Sequence, residues 1–350
     1  MYTLPLNINL HDDVETMILL LKANNRIGEL NGILKQLPNP KILLNAITLG
    51  EAKDSSAIEN IITTYDDLYK EISGVSISPA AKEVLRYRQA ILLGFEELQN
   101  NEFISIKSLI NIQECIESNK GGIRKLPRTI IKNTITNEVI YTPPQSEQEI
   151  IEYLSNLEKY INTNNIYDPL LNLGVIHYQF ENIHPFYDGN GRTGRILNIL
   201  YLVMKNKLSY PVLYLSKYII SHKDEYYTLL KECNKKEELI PKFIQYMLKG
   251  IIFTADFTID FVNDITESMD LTTKLMKEKL PKVYSKELVE YLYYEFYNKN
   301  ESFRNTFSIS RMTANKYLKL LEENGFLLSE RVGKEVIYKN VALFNLMDKW

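Results

Sequence analysis

The sequence predicts a mainly α-helical protein, and three observations carry that expectation. Apolar residues recur at spacings of three and four over long stretches, as a helix with one buried face requires. Helix-opening signals such as Ser78-Pro79, Ser105 and Ser146 precede several of those stretches. Strand-like runs are short and lie in two places only, near residues 128–142 and 326–338.

Taken in order, Asp12 or Asp13 can cap a first helical stretch that ends by about Leu37, before Pro38. Ser55 and Glu59 stand four apart, hence on one helical face, and Ala57, Ile58, Ile61 and Ile62 would dock that helix. Ser78-Pro79 opens another helix with Val84, Leu85, Ile91, Leu92, Phe95 and Leu98 on its buried side, and Ser105 can start a third. Residues 128–142, from Arg128 onward, read as a β-hairpin around a Thr136-Asn137 turn, with Ile130, Ile131, Val139 and Ile140 on its strands. Pro143-Pro144 ends it, and a helix begins near Ser146. Leu173, Ile176, Phe180 and Ile183 form the stripe of a core helix, while the run containing Ile196, Leu197, Ile199, Leu200, Leu202 and Val203 is too apolar for a surface one. Tyr210-Pro211 breaks the chain, residues 222–233 read as a helix, and residues 240–279 continue as helices leading away from the core. Pro281 marks a boundary. The chain thus divides into an N-terminal helical region (1–100), a core with trailing helices (101–280) and a small domain (281–350).

With 350 residues, 45% hydrophobic and 24% charged, the chain is globular and long enough for two or three domains. A net charge of −3 argues against a mainly electrostatic attraction to nucleic acid or anionic membrane. Cys115 and Cys233 make no disulfide framework, and the four histidines show no zinc spacing with them. The first residues lack a basic region followed by an apolar core, and no apolar run reaches membrane-spanning length, so a cytoplasmic location is expected.

The densest chemistry lies at residues 184–195, His-Pro-Phe-Tyr-Asp-Gly-Asn-Gly-Arg-Thr-Gly-Arg, between the two core helices. Gly189, Gly191 and Gly194 allow close approach of backbone to a ligand, and the free N–H groups opening the second helix make an anion cradle with the helix dipole. His184 is the group there whose ordinary pKa lies near neutrality, so it can take a proton from an attacking hydroxyl. Asp188 is the only carboxylate and suits Mg²⁺, which takes one or two carboxylates and completes its octahedron with phosphate oxygens and water. Asn190 can donate to a phosphate oxygen, and Arg192 and Arg195 offer forked donors for the rest of a polyphosphate. The set suits in-line attack on a nucleotide phosphate. No Gly-x-x-x-x-Gly-Lys run accompanies it, so an ordinary P-loop is not its source.

This run resembles the Fic family signature, His-Pro-Phe-x-Asp/Asn-Gly-Asn-Gly-Arg-x-x-Arg, with Tyr187 at the variable position. The resemblance implies a helical Fic core and a protein adenylyltransferase, which attaches the AMP part of ATP to a Ser, Thr or Tyr hydroxyl and releases pyrophosphate. It makes His184 the base, Asp188 the Mg²⁺ ligand, Gly189, Asn190 and Gly191 the anion hole, and Arg195 the γ-phosphate holder. Some relatives move phosphate, phosphocholine or UMP, or remove AMP; Gly191, where phosphate-transferring relatives depart from the pattern, favours AMP. Ser55 to Asn60 resembles the family's Ser/Thr-x-x-x-Glu-Gly/Asn inhibitory motif, which implies that Glu59 blocks Arg195; the competing reading is an exposed helix turn with a capping serine. Tyr226, Tyr227 and Asn234 sit at a distance from the motif similar to that of the family's nucleoside contacts, although two of 24 tyrosines could equally be core or surface. The 128–142 hairpin corresponds to the flap that pairs with a target's backbone; a merely structural hairpin is the alternative.

In the C-terminal domain, residues 285–298 read as a helix, 308–322 as another ended by Asn324-Gly325, and 326–329 and 335–338 as strands around Val332-Gly333-Lys334. Helices followed by a hairpin wing resemble a winged helix-turn-helix, which would turn Arg311, Asn315, Lys316 and Lys319 to a DNA groove. Eleven Lys or Arg against nine Asp or Glu is a slight excess, which leans toward a protein-binding or dimerising module. Two function classes follow. One is an autoinhibited adenylyltransferase acting on proteins, itself included; the other is a DNA-binding regulator with a Fic-like core as nucleotide sensor. The complete motif favours the enzyme.

Overall fold

Asp13 caps the first helix of the computed structural model, its carboxylate accepting from the Glu15 N–H at 3.1 Å. The structure describes all residues except 1, 11–12, 36, 38, 73, 75–77, 119–120, 128, 133–138, 164–166, 296, 333–334 and 350, with only the backbone described for 132 and 140. Asp12, Pro38, Arg128, the Thr136-Asn137 turn and Gly333-Lys334 lie outside the described residues.

Helix α1 (Val14–Leu34) is followed by α2 (Pro40–Ile58), opened by Asn39, and by α3 (Tyr65–Ile72). Ser78 caps α4 (Pro79–Asn101), and Ser105 with Ser108 forms a capping box on α5 (Ile106–Glu117). Along α4 the structure buries Val84, Ile91 and Leu98 fully, and Leu85, Leu92 and Phe95 in part. Strands β1 (Ile131–Lys132) and β2 (Val139–Tyr141) pair antiparallel, Ile131 opposite Tyr141. Then come α6 (Glu147–Asn162), capped by Ser146, α7 (Pro169–Ile183), α8 (Asn190–Met204), α9 (Leu215–Ser221) and α10 (Lys223–Cys233).

Helices α7 and α8 are buried at nearly every position, which is why their sequences read as apolar all round. They pack on each other at the centre, with α4 and α5 against α8 and α6 against α7. Residues 240–279 form one helix, α11 (Ile240–Lys279), rather than several, since after Pro241 in its first turn only Gly250 could weaken it. It packs against α7 and along α1.

The C-terminal residues form α12 (Lys286–Tyr294), β3 (Tyr297–Lys299), α13 (Asn300–Phe307), α14 (Arg311–Glu323), β4 (Leu327–Val332), β5 (Glu335–Asn340) and α15 (Val341–Lys349). The helix expected over 285–298 therefore stops at Tyr294. Tyr297 to Lys299 instead pair with β5, giving a three-stranded sheet in the order β3-β5-β4. No helix among the described residues is long and apolar enough to cross a membrane.

Candidate active site

His184 ends α7 in the left-handed region (φ 46°, ψ 60°), its N–H bonded to the Phe180 carbonyl at 3.1 Å. Such a backbone is uncommon for a non-glycine residue and persists where the surroundings over-determine it. Five residues later Gly189, at φ 76°, caps α8. The first backbone bond of that helix is Thr193 N–H to Gly189 O at 2.9 Å. The N–H groups of Asn190, Gly191 and Arg192 thus have no intrahelical acceptor, and they carry the positive end of the helix dipole.

The loop is tied from within. The Asn190 carboxamide accepts from the Phe186 N–H at 2.8 Å and donates to the Phe186 carbonyl at 2.9 Å, so it faces the loop's own backbone and leaves the main-chain N–H as this position's donor to a ligand. Asp188 is exposed; one carboxylate oxygen accepts from the Gly189 N–H at 2.7 Å and its carbonyl accepts from Gln113 at 3.1 Å. Among the described residues no cluster of three or more His, Cys, Asp or Glu is placed to cage a metal. An exposed carboxylate beside a helix N-terminus fits a Mg²⁺ that brings phosphate and water as its remaining ligands.

Burial pushes the His184 ring down to about 4, the Arg124 charge adds to this, and the Glu181 backbone, Glu59 and Asp188 oppose it. The ring is therefore neutral at physiological pH and already in the base form. Its Nδ1 is buried without a hydrogen-bond partner among the described residues.

Arg195 is buried, and its guanidinium is closed off by α2: Nε donates to Ser55 Oγ at 2.7 Å, and Nη2 donates to the Ser55 carbonyl at 3.0 Å and to Glu59 at 2.9 Å. Ser55 is fully buried inside the helix and Glu59 is its C-terminal cap residue, so the reading as an exposed turn with a capping serine does not hold. Burial opposes the Arg195 charge, but Glu59 foremost outweighs it and holds the guanidinium charged. Burial likewise pushes the Glu59 carboxyl up, and Arg195 outweighs that and lowers it, so Glu59 is ionised. Gly191 makes this approach possible, because a Cβ there would stand 2.6 Å from a Glu59 carboxylate oxygen. Gly194 lies against α7, where a Cβ would come within 2.9 Å of the Phe180 ring.

Two sequence-derived contacts, those of Arg192 and Tyr226, need correction. Arg192 is not turned to the cradle: it is buried between Glu83, at 2.8 Å, and Glu117, so its fork anchors the loop to α4 and α5. Tyr226 is a core residue whose hydroxyl shares a 2.8 Å hydrogen bond with buried His177, and it offers no flat surface to a nucleoside. Tyr227, half-buried, meets Tyr226 edge-on at 5.1 Å. Asn234 accepts from the Tyr178 hydroxyl at 3.0 Å and donates to the Leu230 carbonyl at 3.0 Å, which caps α10. In the hairpin, Ile130 and Val139 are exposed, Ile131 is half-buried, and the Ile140 side chain lies outside what is described.

Other polar groups converge here without a motif to announce them. Glu51, buried on α2, accepts from the Tyr87 hydroxyl and the Ser216 N–H, each at 3.0 Å, and from the Ser216 hydroxyl; burial pushes it up to about 7. Asp54 accepts from the Tyr214 hydroxyl at 2.7 Å, and Lys223 donates to the Ile58 carbonyl at 2.6 Å. Glu181 lies one turn before His184; burial pushes it up to about 7, against Arg195 and with Glu59. Only Asp54 and Glu181 adjoin a recognisable motif in sequence.

A helical fold that ends one core helix on a histidine and opens the next as an anion cradle defines the class of this protein. The Fic/DOC family model matches residues 101–202, the Fic/DOC family N-terminal model residues 17–96, and the model for the protein adenylyltransferase SoFic-like C-terminal domain residues 268–343. The chain belongs to the Fic/DOC family. It is similar to protein adenylyltransferase Fic of Aedes aegypti, 22% identical over 61% of this chain and 38% of that protein, and to a probable protein adenylyltransferase of Aquifex aeolicus, 30% identical over 50% and 54%. The matched region thus spans between about a third and about half of these relatives' length. Among solved structures it resembles a Fic family protein of Desulfovibrio desulfuricans, with a TM-score of 0.61 at 19% identity over 97% of this chain and 98% of that one. It also resembles Fic-1 of Caenorhabditis elegans, with a TM-score of 0.53 at 20% identity over 70% and 72%.

Proposed function

We propose that this chain transfers the AMP part of ATP to a Ser, Thr or Tyr hydroxyl of a protein, its own surface included, and that α2 holds this activity in check. The observation that carries the reading is the placement of His184 across a five-residue loop from the first-turn N–H groups of α8. Phosphate oxygens are held by those N–H groups at the helix N-terminus. The neutral His184 ring takes the proton of the attacking hydroxyl as its oxygen bonds to the α-phosphorus. The bond from that phosphorus to the bridging oxygen breaks, and pyrophosphate leaves. Asp188 would hold Mg²⁺, which would offset the charge of the phosphates. The γ-phosphate needs the Arg195 fork that Glu59 now occupies, so ATP binds with its α-phosphate out of line until Glu59 withdraws. The exposed Ile130 and Val139 mark a hairpin edge that a target's backbone can extend. The names of the relatives support the choice of AMP over other phosphate-linked groups.

Replacing His184 tests the reading. In a Glu59→Gly background, His184→Ala is expected to lower transfer of α-labelled AMP to protein about 10²- to 10⁴-fold. Calorimetric affinity for Mg·ATP should stay close to the parent's, because the base acts on the target hydroxyl. Near-parental transfer by the His184→Ala protein contradicts the assignment.

A further inference from the structure

We propose that Arg124 is a positioning residue, which fixes the main chain of His184 and joins it to the root of the β-hairpin. The contacts are independent of the transferase reading; only the consequence for rate rests on it.

Arg124 is 1% exposed, and none of the ion pairs among the described residues includes it. A buried charge without a carboxylate is costly unless other groups satisfy it. Here main-chain carbonyls do so for two of its three nitrogens: Nε donates to His184 O at 2.7 Å, and Nη2 donates to Pro144 O and, at 3.4 Å, to Ile183 O, while Nη1 is buried without a partner among the described residues. Ile183 and His184 close α7, where the helix dipole presents its negative end, so a cation at this point is electrostatically matched. The neighbouring main chain runs as a splint along the loop. Arg124 N–H bonds Pro185 O at 2.9 Å, Ile123 bridges Phe186, and Lys125 N–H donates to the Tyr187 hydroxyl at 2.9 Å.

Pro144 is the third residue after β2, so a single guanidinium spans the hairpin root and the residue that carries the base. His184 holds its left-handed backbone at the point where that fork grips its carbonyl. The Arg124 charge also disfavours a second proton on the His184 ring, in the same direction as burial, against the Glu181 backbone of α7, Glu59 of α2 and Asp188 of the loop. Fork and charge are therefore separable contributions.

Two variants separate them, Arg124→Met and Arg124→Lys, each checked for folding by thermal unfolding. The first readout is the His184 ring titration by NMR on histidine-labelled protein without nucleotide, its signal assigned through His184→Ala. The second is the kcat of AMP transfer in the Glu59→Gly background, beside calorimetric affinity for Mg·ATP. In Arg124→Met the ring is expected to titrate above the parent's value, and kcat to fall on the order of 10²-fold with nucleotide affinity retained. In Arg124→Lys the ring stays close to the parent's value because the charge remains, while kcat still falls because the fork is gone. A Met variant with parental titration and kcat, or a Lys variant with parental kcat, overturns the proposal; if the Met variant does not fold, the Lys variant decides alone. A Glu59→Gly parent without any transfer contradicts the transferase reading, and the titration of the two variants then still decides for or against Arg124.

Discussion

The loop after α7 and the end of α2 present charge to the same space, yet they are seated in opposite ways. The loop hangs between two helices whose apolar side chains are buried nearly all round, and its own polar groups close it through Asn190 on Phe186 and Asp188 on Gly189. The last turns of α2 instead bury Glu51, Asp54, Ser55 and Ser56. They are held by hydrogen bonds to Ser216, Tyr214 and Arg195 and by Lys223 on the Ile58 carbonyl. Apolar burial stabilises strongly and without direction, whereas buried hydrogen bonds fix a geometry at modest net gain. The contrast sets a cradle held rigid by its apolar seat against a helix end placed by directed polar contacts, of which only those to Arg195 meet the donors that the proposed function assigns to the γ-phosphate.

The largest effect expected from breaking the rigid side is at Arg192. Arg192→Ala removes the partner of Glu83 and Glu117 at a nearly inaccessible point, and loss of one member of a buried ion pair costs about 3–5 kcal/mol. Urea denaturation should show a loss at the lower end of that range, since Glu83 is partly exposed. Unchanged stability would mean that the loop is not anchored through this fork.

A smaller effect sharpens the polar side. Glu51 has an ordinary value near 4.5 and is pushed up to about 7 by burial, so the folded state holds its proton where the unfolded chain has released it. Its contribution is fully present below about 4.5 and is lost as pH rises toward about 7. Glu51→Gln should therefore give a shallower fall of unfolding free energy across that window. The slope should not vanish, because Glu181 is pushed up into the same range. A slope equal to that of wild type would show that Glu51 is not buried as α2 is seated here.

What could be read from sequence follows the same division. The cradle was legible because its parts lie within twelve consecutive residues, and helix starts at Ser78, Ser105 and Ser146 because a cap is a local event. Ser55 and Glu59 could be placed on one face by helical spacing, and both meet Arg195. What holds α2 could not be read, since Glu51 meets Ser216 and Asp54 meets Tyr214 across 165 and 160 residues. Side-chain direction was equally hidden: Arg192 and Tyr226 sit at motif-like spacings but point to Glu83 and His177. The strand Tyr297–Lys299 carries no local signal because its partner, β5, lies about 40 residues on, and only that pairing distinguishes it from a continuing helix.

The central claim is that Glu59 restrains the site through Arg195, and transfer rates at saturating Mg·ATP test it most directly. With wild type, Glu59→Gly and Glu59→Gly/Arg195→Ala compared for label from α-labelled ATP on protein, Glu59→Gly is expected to be faster on the order of 10²-fold, as restored alignment at the α-phosphate implies. The added Arg195→Ala should abolish that gain. A folded Glu59→Gly protein no faster than wild type, or a double variant that keeps the gain, would contradict it.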